Sequence, residues 1–399
     1  MLWPANTERA AEGMAGFDPS RTGPRLALFY GASFAVLGIM LPFWPVWLAS
    51  RGLDSSEIGL VLALLTAIRI VATPAVAHYA DRIGERRRPI IVLAAVSTAA
   101  FALFFLARDF WLILVITAVF SFARAGVLPL GESLTMLCVQ ARGLDYGRLR
   151  LWGSLSFIAA AAATGRLLTG RPEDLVFWLI LGALAFSLCS CMALPDARHG
   201  KTSRARAPLI GVLRKKSFVL FLAAAALVQG SHAVYYAFGT LHWRAAGHSD
   251  TVIGLLWAEG VIAEIALFAL GARVLKVFTP AGLIALGGAA AALRWTVTGA
   301  SSDLPVLIVT QALHAFTYGA AHLGAIHFVA RAVPLSESAT AQSLYSAASI
   351  GVGLGLAMLA SGPLYEAFAG GAYYAMAALG AMGCVLGLIL GRLGSESAH

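Results

Sequence analysis

Charge is what this sequence has least of. Asp, Glu, Lys and Arg make up 12% of its 399 residues, about half the share of a soluble globular domain. Apolar side chains replace them, at 59% of the chain. That balance excludes a soluble enzyme before any motif is read. The net charge of +9 is not a nucleic-acid signal, because Lys and Arg cluster in short loops between apolar runs, as the positive-inside rule requires. Other absences narrow the class further. No GxxxxGK[ST] loop is present, so ATP is not the driver. No GxSxG or HExxH occurs, and the His314–His322 spacing is eight residues, not the four of a zinc-binding helix pair. Cysteine is scarce: Cys138, Cys189, Cys191 and Cys384 all fall in apolar runs, without metal-ligand spacing or a disulfide pattern. No cofactor and no metal are expected. The polar tail 1–24 holds no signal-peptide core and is expected in the cytosol, with the first helix acting as the insertion signal.

Twelve apolar runs are long enough to cross a bilayer, at about 20 residues each. They lie near 25–48, 57–80, 89–107, 109–140, 146–169, 174–194, 217–243, 251–273, 279–299, 303–330, 337–366 and 371–392. Even parity puts both termini on one side. Arg82, Arg86, Arg87 and Arg88 share one loop; Arg198, Lys201, Arg204, Arg206, Arg214, Lys215 and Lys216 share another. The alternate loops are poor in basic residues, so both termini are expected to be cytoplasmic. Residues 196–216 are polar, basic and too long for a helix hairpin, and divide six runs from six. The predicted fold is an all-α membrane protein with twelve transmembrane helices in two pseudo-symmetric six-helix bundles, 25–195 and 217–393, with a C-terminal tail at 394–399. A weak repeat supports duplication: Gly52 and Gly59 match Gly247 and Gly254 at an offset of 195 residues.

Charges inside the runs are expensive, at least about 2.5–3.5 kcal/mol each, so they need partners or water. Glu132 ends the fourth run and Arg150 begins the fifth. They are equidistant from the turn at 141–145, so an antiparallel hairpin puts them at one depth, about 12 Å inside. They are either an ion pair that fixes the hairpin or a ligand-binding pair in a polar cavity. Arg69 and Arg124 have no acid at i±3 or i±4 and must find a partner on another helix or face a cavity. In the first run Tyr30 and Phe34 share a face with Leu37 and Leu41, as core or as ligand wall; Pro42 and Pro45 are expected to bend its end. In the seventh run Gln229, His232, Tyr236 and Trp243 share a face at 100° per residue. In the eighth, Trp257, Gly260, Glu264 and Phe268 do, and Glu259 points elsewhere. In the tenth, Gln311, His314, Tyr318 and His322 form a stripe. The run-11 segment 351–357, GVGLGLA, reads as close helix packing.

Two segments carry a family resemblance. Residues 77–88, AHYADRIGERRR, are similar to the loop 2–3 signature of the major facilitator superfamily, through Asp81, Arg82, Gly84 and Arg86; Ala77 and Glu85 depart from it. The physical need is a tight turn at Gly84 with charges bracing the helix ends. Residues 146–153, YGRLRLWG, resemble the segment with which lactose permease-like members hold substrate, together with a carboxylate on the preceding helix, here Glu132. The likeness covers about residues 25 to 393 and extends to the branch of phenylpropionate permease-like proteins and nucleoside–proton symporters. It implies a secondary transporter working by alternating access in a bacterial inner membrane, with Asp81 expected to cap or bridge to the neighbouring bundle when the cytoplasmic side is closed. His314 matches the family's histidine and Arg294 its arginine. Thr317 stands where the family has its proton-carrying glutamate.

Nothing resembles a sodium cage, so the proton is the default coupling ion. By exclusion, Glu264 is the candidate carrier, with His314 helping to set its affinity and Arg294 to discharge it. A permanent bridge from Glu264 to Arg69 or Arg294 is the competing reading. The substrate site is drawn from Glu132, Arg150, Tyr30, Phe34, His232, Tyr236, Trp257, His314 and Tyr318. Four intramembrane arginines (Arg69, Arg124, Arg150, Arg294) face three acids (Glu132, Glu259, Glu264), which favours an anionic solute. The aromatic content favours a flat ring. An aromatic or other small carboxylate fits both; a neutral nucleoside or sugar is the alternative. The expected partners are that solute, a proton and the bilayer, with the chain acting as a monomer. A non-transporting sensor or an intramembrane enzyme is the competing class.

Overall fold

The computed structural model describes residues 19–196, 213–334 and 337–396. The basic residues Arg198, Lys201, Arg204 and Arg206, most of the tail 1–24 and residues 397–399 lie outside it. Twelve membrane-length helices and one short helix, Gly271–Val277, make up most of the described chain. The twelve are α1 (Pro19–Ser50), α2 (Ser55–Ile83), α3 (Arg87–Ala102, tightening into a 3₁₀ turn at Leu103–Leu106), α4 (Phe110–Arg142), α5 (Tyr146–Leu168) and α6 (Asp174–Met192). After the linker come α7 in two pieces (Lys216–Gly230 and Ala233–Ala245), α8 (Asp250–Ala269), α9 (Pro280–Ala300), α10 (Leu304–Ala332), α11 (Ser338–Phe368) and α12 (Ala372–Glu396). By length and composition eleven apolar stretches can span a bilayer, because α11 and α12 run on as one stretch, Thr340–Leu393. Only a 3₁₀ turn at Ala369–Gly371 divides it.

Local chemistry sets the ends. Asp109 accepts the Leu112 amide at the start of α4, and Asp145 the Arg148 amide at the start of α5. Each satisfies one of the orphan donors of a first turn. Gly52 (φ +84°) and Gly247 (φ +90°) both turn left-handed after α1 and α7, a conformation that a side chain rarely permits. The two positions related by the repeat therefore do the same backbone job. Gly84 (φ +70°) makes the tight turn between α2 and α3.

The chain groups into two compact units, one of Met1–Trp47 with Ile68–Arg204, the other of Leu48–Ala67 with Ala205–His399. In the first, α3 packs on α4 and α6. One end of it is a ring cluster: Trp44 stacks on Trp47 (4.6 Å, 9°), with Phe101, Phe104 and Phe177 around them. α1 stays helical through Pro42 and Pro45 to Ser50. In the second unit α9 lies along α12, and α12 along the first piece of α7. Small residues permit these approaches. A Cβ on Gly353 would sit 2.6 Å from the Ala226 carbonyl, so the GVGLGLA segment meets α7 backbone to backbone. The start of α2 belongs to this unit for the same reason. A Cβ on Gly362 of α11 would sit 2.6 Å from the Ser55 carbonyl, and Ser56 Oγ donates to Glu366 Oε2 at 2.6 Å.

Three helices depart from the regular period. α7 breaks at Ser231–His232, although the spacing of Gln229, His232, Tyr236 and Trp243 predicts one continuous face. The Val228 carbonyl accepts from both Ser231 Oγ (2.6 Å) and His232 Nδ1 (3.1 Å), while the His232 amide donates instead to Gln229. Side chains have displaced the helical bond. α10 is π-helical over Ala315–Ala320 and α11 over Ala347–Leu354, a form concentrated at functional sites.

Candidate functional site

In the first unit the α4–α5 hairpin brings Glu132 and Arg150 together. Arg150 Nε lies 3.7 Å from Glu132 Oε1, with side chains 33% and 39% exposed. That is within ion-pair reach but too long for a hydrogen bond. The guanidinium rests instead on an aromatic shelf from α1: its carbon is 4.0 Å above the Phe34 ring and 5.7 Å from the Tyr30 ring. Tyr146, which no periodicity singles out, meets Tyr30 edge to face at 6.4 Å. A Cβ on Gly153 would come within 3.0 Å of Phe34 and 3.2 Å of Arg150 NH1, so the last glycine of the YGRLRLWG segment leaves room for the stack. The loop signature is anchored beside the pair. Arg86 Nε donates to Ser133 Oγ at 2.7 Å and its NH2 reaches Asp81 at 3.4 Å; Arg88 pairs with Glu85 at 3.2 Å. Arg82 is exposed.

A loosely paired, ring-supported guanidinium can accept a ligand carboxylate or hydroxyl without first breaking a strong bond. Arg150→Lys keeps the charge but loses the planar fork. It is expected to weaken solute binding about tenfold or more, read by titration of the purified protein. Binding unchanged from the wild type would remove the pair from the site.

In the second unit the centre is Arg294 of α9, wholly buried at 0% exposure. Its NH2 donates to Gln311 Oε1 (2.7 Å), and its NH1 donates to His314 Nδ1 (3.0 Å) and Thr317 Oγ1 (3.2 Å), all on α10. The Tyr235 and Trp295 rings cover it at 4.7 and 4.4 Å. Among the described residues its bonded partners are neutral. A guanidinium only donates, so His314 Nδ1 must accept and carries its proton on Nε2. That nitrogen faces Glu264 Oε2 at 3.9 Å. The Val228 carbonyl only accepts, so His232 Nδ1 donates to it, and a neutral His232 takes the Thr317 hydroxyl proton at Nε2 (3.1 Å). Thr317 thus bridges Arg294 and His232.

The other aromatic candidates gather here. Trp257 stacks on Tyr235 at 4.4 Å, its indole N–H donating to Thr240. Tyr235 donates to Gln311 Oε1 at 3.2 Å, and Tyr236 stacks on His232 at 5.5 Å. Tyr318 lies parallel between His314 (5.5 Å) and His322 (5.7 Å), and His322 Nδ1 meets the Tyr345 hydroxyl at 3.2 Å. The stripe read from the helical period is thus a real ladder of rings. Gln311, Thr317 and Tyr235 are direct partners in this network that the list of site residues left out. Gln311 had its place on the α10 stripe as a signal, and Thr317 its place at the family's glutamate position.

Comparison with known proteins agrees with this architecture. The Probable 3-phenylpropionic acid transporter of Escherichia coli (strain K12) is 33% identical over 361 residues, 88% of this chain and 93% of that protein. The Maltose permease of Geobacillus stearothermophilus is 28% identical over 352 residues, 87% and 89% of the two chains. The crystal structure of the nucleoside transporter NupG superposes with a TM-score of 0.77 at 15% identity, covering 93% of this chain and 98% of that one; at that identity it speaks for the fold alone. The family model described as the MFS_1 like family matches residues 24–376, and the chain belongs to that family: it is a multi-pass membrane transporter of a small solute with the major facilitator fold, not an enzyme.

Proposed function

We propose that the protein is a proton-coupled symporter for an aromatic or other small carboxylate, working by alternating access in the bacterial inner membrane. Both termini are assigned to the cytoplasm and the chain to a monomer. The observation that carries the substrate is the 33% identity, over nearly the whole chain, to a protein named for 3-phenylpropionic acid. The charge pattern supports it, because the groups hydrogen-bonded to Arg294 are neutral and a guanidinium in a dry interior favours an anionic guest. In this reading Glu132 and Arg150 contact the solute, with Tyr30 and Phe34 as their shelf. Within the second unit, His232, Tyr236, Trp257, His314 and Tyr318 are the proposed solute contacts. Asp81, Arg82, Gly84 and Arg86 brace the cytoplasmic loop. A neutral sugar or nucleoside is the second reading, favoured by the 28% identity to a maltose permease and by the hydroxyl-binding capacity of a Glu–Arg pair.

The test is uptake into proteoliposomes. An outside-acid gradient is expected to drive accumulation of 3-phenylpropionate, and a protonophore to collapse it. Accumulation of maltose or uridine in its place would establish the second reading.

Glu264 is the proposed proton carrier. The Nε2–H of His314 faces it, and Arg294 stands behind that histidine. Glu264→Gln is expected to abolish uphill accumulation yet keep solute exchange across the membrane at equal pH. Full proton-driven accumulation in that variant would sink the assignment. Joint loss of expression and exchange would make Glu264 a structural bridge.

A further inference from the structure

Arg124 lies in mid-α4, and neither the family resemblance nor the ion pairs account for it. Its NH2 donates to the Ser33 carbonyl of α1 at a long 3.4 Å. Its NH1 is shielded from solvent and has no hydrogen-bond partner. Among the described residues no carboxylate pairs with it, and the titratable groups within electrostatic reach are the Cys191 thiol of α6 and another arginine, Arg69 of α2. A guanidinium inside a bilayer needs a counter-charge or water. A second guanidinium nearby makes the need greater.

The surroundings are donors. Thr117, Ser121 and Arg124 are spaced i, i+4, i+7 and share one face of α4. The hydroxyls of Thr117, Ser121 and Ser33 are all buried, at 0%, 2% and 1% residue exposure, and none has a hydrogen-bond partner. Thr73 Oγ1 donates to the Ala125 carbonyl at 3.3 Å and holds α2 against α4 at this level. The first unit therefore contains a guanidinium with one unpartnered terminal nitrogen, on the helix face that carries the unpartnered Thr117 and Ser121 hydroxyls, with a second positive charge within electrostatic reach.

We propose that Arg124, with the hydroxyls of Ser121 and Ser33, anchors the carboxylate of the transported solute. This rests on the carboxylate reading given above and assigns the anion to a residue outside the Glu132–Arg150 pair. The other arginines are poorer anchors. Arg150 already has Glu132 beside it. Arg294 spends NH1 and NH2 on three neutral acceptors and is wholly buried. Arg294 also keeps an unpartnered Nε, but Arg124 alone among these three keeps a terminal guanidinium nitrogen unpartnered with no acid beside it. A planar carboxylate matches that fork with two parallel bonds, and the hydroxyls take its remaining lone pairs.

The experiment is titration of the purified full chain with 3-phenylpropionate, its neutral amide 3-phenylpropionamide, and chloride. Wild-type protein is expected to prefer the acid to the amide. Arg124→Gln is expected to weaken the acid about 10- to 100-fold, as for a lost charge-assisted bond, and to leave the amide unchanged. Ser121→Ala should weaken the acid by about fivefold. If Arg124→Gln retains the acid-over-amide preference, the anchor is elsewhere, while carboxylate transport stands. A wild type that binds acid and amide alike overturns both. A loss confined to the chloride response overturns the carboxylate assignment in favour of an inorganic-anion site. Should Arg124→Gln not fold, Arg124→Lys and Ser121→Ala are read by the same ratio of acid to amide.

Discussion

Arg294→Lys is expected to lower transport by about 100-fold or more, the scale of losing buried bonds to a charged group. An ammonium on a shorter stem cannot reach Gln311, His314 and Thr317 at once, as the fork does. His314 Nδ1 would lose the donor that fixes its tautomer, and its Nε2–H would no longer be held toward Glu264. Stability should respond differently. Arg294→Met orphans the same acceptors, at about 1–3 kcal/mol each, but also removes a buried charge whose desolvation costs several kcal/mol. The methionine variant should therefore melt closer to the wild type than the lysine variant, although neither transports. Uptake in proteoliposomes and thermal unfolding in detergent read the two effects. Normal transport by Arg294→Lys would show that the network is packing and no more.

Gly288→Leu is expected to prevent recovery of folded protein. Gly288 lies where α9 meets α12: a Cβ there would land on the Cys384 amide and within 2.7 Å of the Gly380 carbonyl. Both obstacles are backbone, which cannot rotate aside. Even Gly288→Ala forces the helices apart, at about 1–3 kcal/mol for overpacking, and should lower the melting temperature. Gly182→Leu on α6 is the control, because nothing lies within 4 Å of a Cβ at Gly182, and its yield should match the wild type. Equal yields for the two leucine variants, by size-exclusion profile, would show that α9 and α12 are free to separate.

The number and order of the helices were written in the sequence. Run lengths are set by bilayer thickness, and boundaries by residues acting locally: Asp145 as a cap, and Gly52, Gly84 and Gly247 as left-handed turns. The Glu132–Arg150 contact was legible for a related reason, since two residues equidistant from a short turn meet in an antiparallel hairpin. The i, i+4, i+8 spacing of His314, Tyr318 and His322 was legible as one face, although the π-helical turn at Ala315–Ala320 within their stacked ladder was not.

Other features were decided by contacts between helices. The partners of Arg294 lie 17, 20 and 23 residues away on α10, and no local period relates two helices. Thr317 reads as a lost acid, yet its hydroxyl both accepts from Arg294 and serves His232. The break in α7 has no proline to announce it. It arises because Ser231 and His232 both turn back to the Val228 carbonyl. Likewise, the sequence showed that Arg124 has no acid one turn away. That α1 brings it a carbonyl and a buried hydroxyl, and no carboxylate, was settled only by how α1 and α4 pack. Spacing along one helix fixes which side chains share a face, but which chemistry that face meets depends on the neighbouring helix and its rotation.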